Sequence, residues 1–208
     1  MPRIVCLSDT HNCNEKVSVP EGDILIHAGD ATLQGTMEEI VLFNEWFANL
    51  PHKYKIFVAG NHDWLFQTNP KLAQSLLDDR IIYLQDSSTE IENLKLYGAP
   101  WQPWFFDWAF NLSRGEPLAE KWKMIPDETD LLITHCPPFG ILDFPPDGFS
   151  AGCERLRVRV EEIKPKLHVF GHIHFSYGIS EQFGVKFVNA SNCDEAYAPT
   201  NAAIVVDL

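Results

Sequence analysis

The chain is short of positive charge, of paired cysteines and of long apolar runs, and each shortage excludes a class of protein. Lys plus Arg number 16 against 29 Asp plus Glu, for a formal net charge of -13 at pH 7. That balance disfavours non-specific binding to nucleic acid polymers or to anionic membranes. Cys6, Cys13, Cys136, Cys153 and Cys193 are odd in number and form no Cys-x-x-Cys pair, so neither a disulfide framework nor a zinc ribbon is suggested, and reduced thiols in a cytoplasmic protein are expected. No apolar stretch approaches the ~18 residues of a membrane span, and the first apolar run, Ile4 to Leu7, is too short for a signal peptide. A soluble, unsecreted chain is therefore expected. A Gly-rich phosphate loop and a nucleophilic Ser/His/Asp set are missing too, with Gly35, Gly140 and Gly148 reading as ordinary turns. Linkers, repeats and low-complexity segments are also absent. The 208 residues fit one domain, 1–208, able to bury roughly 70% of its unfolded surface.

What is present is an alternation of buried strands and helices. Apolar runs bounded by turn residues at Ile4–Leu7, Ile24–His27, Tyr54–Ala59, Lys95–Gly98, Leu131–Thr134, Leu167–Phe170, Val185–Asn189 and Ala203–Val206 predict strands. Thr36 and Glu39 form a capping box for a helix whose stripe is Ile40, Phe43, Phe47 and Leu50, stopped by Pro51. Further helices are predicted at Pro70–Leu77, Pro117–Lys123 and Cys153–Ile163. The pattern is that of an α/β protein, with the helix-poor C-terminal third expected to form a second, partly antiparallel sheet packed on the first.

Five short segments each follow one of these runs: Ser8-Asp9-Thr10-His11, Gly29-Asp30, Gly60-Asn61-His62-Asp63, Thr134-His135 and Gly171-His172-Ile173-His174. Functional groups in α/β sheets collect in loops beyond the carboxyl ends of strands, so the five should converge on one rim. Alternate residues of an extended segment share a face, so Asp9 and His11 can bite one cation, and His172 and His174 repeat that spacing. Asp30 has two oxygens with which to bridge, Asn61 a neutral oxygen, and His135 another imidazole. Each residue alone has a bland reading, Asp9 as a turn cap, Asn61 as a turn residue, His135 as a hydrogen-bonded strand end. Jointly, with five of the 8 histidines inside the segments, they point to two adjacent divalent metal ions, and the imidazole and carboxylate mixture suits manganese, iron or zinc better than calcium. His27, His52 and His168 are assigned structural roles.

This set resembles the calcineurin-like metallophosphoesterase superfamily. More narrowly, almost the whole chain is similar to its metallophosphoesterase-domain-containing branch, including Leu96-Tyr-Gly-Ala-Pro-Trp-Gln-Pro-Trp, Phe110-Asn-Leu-Ser-Arg-Gly and Pro165-Lys-Leu-His-Val-Phe-Gly. The resemblance implies a four-layer sandwich of two mixed β-sheets flanked by helices. It also implies Asp9, His11 and His174 on one metal, Asn61, His135 and His172 on the other, and Asp30 bridging. Some members of the branch carry glycine in place of His172, which implies a weakened second site; some relatives carry Glu where this chain has Asp63.

The implied reaction is hydrolysis of a phosphodiester by a water that two metals activate. His62 is placed to protonate the leaving alkoxide, with Asp63 orienting it, its bland alternative being a surface turn histidine. The segment from Trp101 to Arg114 can stack a nucleobase, with Arg114 meeting a phosphate, or can be a core-packing loop with one exposed arginine. Asn61, His62, Arg114 and Trp101 are thus the expected substrate contacts, the prolines after His135 a stiff wall, and a small phosphoester, cyclic or small nucleotides included, the expected partner. A nucleotide-binding metalloprotein of low turnover and a protein phosphatase or nuclease stay open as alternatives, as does the oligomeric state.

Overall fold

Alternating buried side chains organise the molecule into four layers. The computed structural model describes residues 2–144 and 148–208. In chain order the elements are β1 (Arg3–Leu7), β2 (Ile24–His27), α1 (Met37–Asn49), β3 (Tyr54–Phe57), α2 (Trp64–Thr68), α3 (Pro70–Ser75) and β4 (Ile81–Tyr83), then β5 (Ser87–Ile91), β6 (Leu94–Ala99), β7 (Gln102–Pro103), β8 (Asn111–Leu112) and α4 (Glu116–Trp122), then β9 (Leu131–Thr134), α5 (Glu154–Ile163), β10 (Leu167–Phe170), β11 (Gly178–Gln182), β12 (Val185–Asn189) and β13 (Ile204–Asp207). One sheet has the order β13-β1-β2-β3-β4 and the other β11-β12-β10-β9-β6-β5, with β7-β8 as a separate short pair.

On β1, Ile4 and Cys6 face the partner sheet and Val5 and Leu7 face the helices, because successive side chains of a strand point to opposite faces. Ile26, Ile56, Leu96, Ile133, Val169 and Val188 join Ile4 in the core between the sheets. Ile40, Phe43 and Phe47 of α1, behind the capping box at Thr36 and Glu39, cover one outer face. Leu118 and Trp122 of α4 with Leu156 and Val160 of α5 cover the other. Both faces of each central strand are buried, which is why these strands read as continuous apolar runs.

Two expectations are corrected. The second sheet is not confined to the C-terminal third: it recruits β5 and β6 from the middle of the chain, while β13 returns antiparallel to β1. The run from Tyr54 leaves the sheet after Phe57, and Val58 to Gly60 already belong to the rim. All five cysteines are unpaired, and among the described residues no helix is long and apolar enough to cross a membrane.

Parallel pairing aligns the ends that matter. Leu7 is in register with His27 and His27 with Phe57, and in the other sheet Val169 with Ile133. The loops leaving β1, β2, β3, β9 and β10 therefore open on the same side.

Candidate metal centre

Those loops bring all seven expected metal ligands together. Asp9, His11 and His174 have ligand atoms within 4.8 Å of one another, and so do Asp30, His135 and His172. Asn61 Oδ1 lies 2.9 Å from His135 Nε2. Between the groups sits Asp30, whose Oδ2 is 3.3 Å from His135 and 4.0 Å from both His11 and His62, while its Oδ1 accepts the His62 backbone N–H at 2.7 Å.

The backbone is bent to achieve this. Asp9, His11, Asp30 and His172 have φ of 52°, 42°, 56° and 69°, a left-handed region that costs a side-chain-bearing residue free energy and persists where the surroundings enforce it. Two glycines permit the close approach. A Cβ on Gly29 would overlap His135 Nδ1, and one on Gly171 would overlap the Asp9 carboxylate. Asp9 is further gripped by the His172 backbone N–H, at 3.1 and 3.0 Å from its two oxygens, and by Ser191 Oγ at 2.9 Å.

Nitrogen partners test whether a cation fits. His135 Nδ1 donates to the Ala28 carbonyl at 2.9 Å and His174 Nδ1 to the Asp194 carbonyl at 2.9 Å, and His11 Nδ1 faces the Thr32 carbonyl at 3.3 Å. In each neutral ring the lone pair then falls on Nε2. His11 and His174 present those lone pairs to each other at 3.2 Å, beside the carboxylate of Asp9. His135 presents its own to Asn61 Oδ1 and Asp30. Such a convergence of acceptors repels itself unless something positive sits among them, so the donor set fits metal ions. A proton can act in the same place. Burial disfavours the imidazolium of His135, but Asp30 and Asp9 outweigh it and raise its pKa to about 9. His174 rises to about 9 against the same burial through Asp9. For Asp9 and Asp30 burial favours the neutral acid, yet the surrounding imidazoles hold both carboxyls well below the usual range. Burial pulls His11 down to about 4 and His172 down to about 3.

Other expected residues divide. His62 faces the centre, with Nδ1 donating to the Leu33 carbonyl at 2.8 Å and its ring stacked on Trp108 at 4.0 Å between centroids. Asp63 does not orient it. The Asp63 carboxylate accepts from Gly60 N at 2.8 Å, Thr32 N at 3.0 Å and Thr32 Oγ1 at 2.7 Å, so this buried group ties the β2 and β3 loops together. Arg114 lines the cleft with its guanidinium already engaged: it donates to the carbonyls of Gly152 (2.8 Å) and Ala151 (2.9 Å) and pairs with Glu154 at 2.7 Å. Trp101 is not a cleft residue. Its indole N–H donates to Asp86 at 2.7 Å, and Lys121 Nζ lies 3.9 Å from its ring centroid; that face belongs to the core-packing reading.

The cleft, about 440 Å³, is lined beside the metal donors by Trp104, Phe105, Trp108, Phe149, Glu195 and Tyr197. The aromatic run after Trp101 announced the first three, and Asn111 shapes their loop by donating to the Phe106 carbonyl at 2.7 Å. Tyr197, edge-on to His11 at 4.6 Å, and Glu195 had no signal in the sequence. Of the wall expected from Pro137 to Phe149, residues 145–147 lie outside the described residues and Phe149 lines the cleft, whereas Pro137, Pro138, Phe139 and Gly140 do not; Ser150 and Ala151, just beyond it, do. The histidines assigned structural roles are buried outside the donor groups: His27 bonds Thr10 Oγ1, behind Asp9 and His11, His168 bonds Thr134 Oγ1 and His52 bonds the Pro20 carbonyl.

Seven imidazole, carboxylate and amide donors at the rim of a two-sheet sandwich make this a metal-binding hydrolase fold. The calcineurin-like phosphoesterase family model matches residues 2–176, and the chain belongs to that family, whose members are metal-dependent phosphoesterases. Metallophosphoesterase domain-containing protein 1 of Homo sapiens and that of Mus musculus are each 44% identical to it, over 99% of this chain and 71% of theirs. A UPF0046 protein of Caenorhabditis elegans is 39% identical over 93% of this chain and 70% of its own. Among solved structures, TT1561 of Thermus thermophilus shares the fold with a TM-score of 0.64 at 10% identity, covering 99% of this chain and 98% of that one.

Proposed function

We propose that the protein is a dinuclear phosphodiesterase acting on small substrates, nucleotides among them. The observation that carries the reading is the inward turn of the Nε2 atoms of His11, His135 and His174 onto Asp9, Asp30 and Asn61. Asp9, His11 and His174 would hold one ion, Asn61, His135 and His172 another, with Asp30 shared. When bound, two divalent ions of manganese, iron or zinc supply the charge that steadies phosphoryl oxygens and make a water acidic enough to attack phosphorus at neutral pH.

The chain's own residues supply the rest. His62 Nδ1 is committed to the Leu33 carbonyl, so Nε2 faces the centre with a lone pair in the neutral ring, and it is as the imidazolium that Nε2–H would protonate the departing oxygen. Trp108 fixes the tilt of that ring by stacking on it. Trp104, Phe105 and Tyr197 offer flat apolar faces to a base or another planar ester group. Arg114 instead braces residues 151–154.

One assay tests the proposal. Metal-free protein, reconstituted with manganese, iron or zinc in turn, is offered bis-p-nitrophenyl phosphate, p-nitrophenyl phosphate and cyclic nucleotides. Diester hydrolysis that chelator abolishes and metal restores is the expected result; monoester hydrolysis alone, or turnover indifferent to chelator, refutes the diesterase reading.

A further inference from the structure

Glu195 is an acid in the cleft wall that the metal centre does not use. Its Oε1 accepts the Phe175 backbone N–H at 3.2 Å, one residue beyond the ligand His174. The preceding residue, Asp194, receives His174 Nδ1 on its carbonyl at 2.9 Å. Chain and side chain thus tether the carboxylate to a metal ligand, so its place at the rim is set by the site itself. Among the described residues Glu195 has no ion-pair partner.

Among the described residues no unpaired lysine or arginine of the wall offsets it. Arg114, the one lysine or arginine lining the cleft among the described residues, pairs with Glu154 and donates to two carbonyls. An adjoining groove shares Phe105, Trp108, Glu195 and Tyr197 and adds Trp64, Phe106 and Asp107, again without a lysine or arginine. A phosphate at the metal donors would share one cleft with this carboxylate and with the rings of Trp104, Phe105, Trp108 and Tyr197. Anions gain nothing there beyond the metals, whereas cationic groups meet both a carboxylate and ring faces.

We propose that Glu195 is a specificity-determining residue, its carboxylate selecting substrates by charge and favouring diesters with a cationic or neutral ester group over dianionic monoesters. This rests on the phosphoesterase reading of the same site. Glu195 is exposed, so solvent screens it and the discrimination is moderate, about five- to tenfold.

The test compares p-nitrophenyl phosphorylcholine, bis-p-nitrophenyl phosphate and p-nitrophenyl phosphate on the manganese-loaded full chain, its Glu195→Gln variant and a Glu38→Gln control, which removes one exposed charge elsewhere. In Glu195→Gln the ratio of kcat/KM for the phosphorylcholine ester to that for the monoester should fall about five- to tenfold, through KM, and the fall should shrink at about 0.5 M salt. A ratio within twofold of the parent, an equal fall in Glu38→Gln, or a change confined to kcat overturns the proposal. If the protein hydrolyses none of the three esters, the diesterase reading fails on its own account. Charge selection is then decided by calorimetric binding of phosphocholine and of inorganic phosphate, whose affinity ratio must shift the same way in Glu195→Gln.

Discussion

The two donor groups are built to different tolerances. In the group of Asp9, His11 and His174, both rings have Nδ1 against a backbone carbonyl, and Asp9 takes hydrogen bonds from Ser191 and the His172 backbone. In the group of Asn61, His135 and His172, only His135 is anchored in that way; among the described residues the His172 ring has no hydrogen-bond partner. Groups behind a metal ligand fix its tautomer and direction, and losing them typically costs about 10–100-fold in affinity or activity. The first group is therefore pre-organised, while the second depends on one ring held by its left-handed backbone and by edge contacts with His135 and Phe105. His172 also joins them, with its N–H serving Asp9 and its side chain serving the other group.

Asp30 lies between the groups and is shared in the proposed arrangement, so its loss should have the largest effect. Asp30→Ala is expected to lower diester turnover by about four orders of magnitude and to release metal from both groups. Retention of two tightly held ions by this variant, measured by elemental analysis, would show that Asp30 is not shared.

His172→Gly should separate the groups. Glycine keeps the N–H that grips Asp9 and is at ease at φ 69°, so the fold and the first group survive while the second loses its imidazole. The bound metal should drop from about two ions to about one, turnover should fall about a thousandfold, and the metal-free variant should unfold at the parent's temperature or above. Turnover equal to the parent at saturating manganese would refute the two-metal mechanism.

Third in size is His62→Ala. Both ions should remain, and alkyl diesters, whose leaving groups need a proton, should slow about a hundredfold while nitrophenyl esters slow less. Equal losses for both substrates would remove the general-acid role. The smallest effect comes from buried histidines outside the donor groups. Burial lowers His27 and His168 to about 3, whereas the unfolded chain protonates them near pH 6.5. Their contribution is therefore complete above pH 6.5 and is lost as pH falls from there toward 3, by about 1.4 kcal/mol per pH unit for each group. Urea unfolding at pH 7 and pH 5 should show His168→Gln losing about 2 kcal/mol less than the parent; equal losses would exclude His168 as a source of acid sensitivity.

The convergence of the seven candidate donors was legible because each follows an apolar run closely, where strand ends deliver it to one rim. The elements that escaped have the opposite character. Ser87–Ile91 and Gly178–Gln182 are the two edges of the second sheet, with polar residues facing water, and Ile81–Tyr83 is the three-residue edge of the first. Their strand state comes from pairing with β6, β12 and β3, which local composition does not encode.

The order of residues by itself determined the alternation that buries each strand on both faces, the capping box at Thr36 and the chemical identity of the donors, since these depend on residue type and on neighbours within a few positions. The spacing of the donors left their division open, and tertiary structure accounts for the one that the resemblance implied. His172 and His174, two residues apart, serve different groups because the backbone at His172 turns left-handed against Asp9. It also withdrew Arg114 to Glu154, turned Trp101 toward Asp86, gave Asp63 to the Gly60 and Thr32 loops, and brought Glu195 and Tyr197 into the cleft. Each of these outcomes rests on hydrogen bonds or packing between residues distant in the chain, and such contacts exist only once the two sheets have closed on each other.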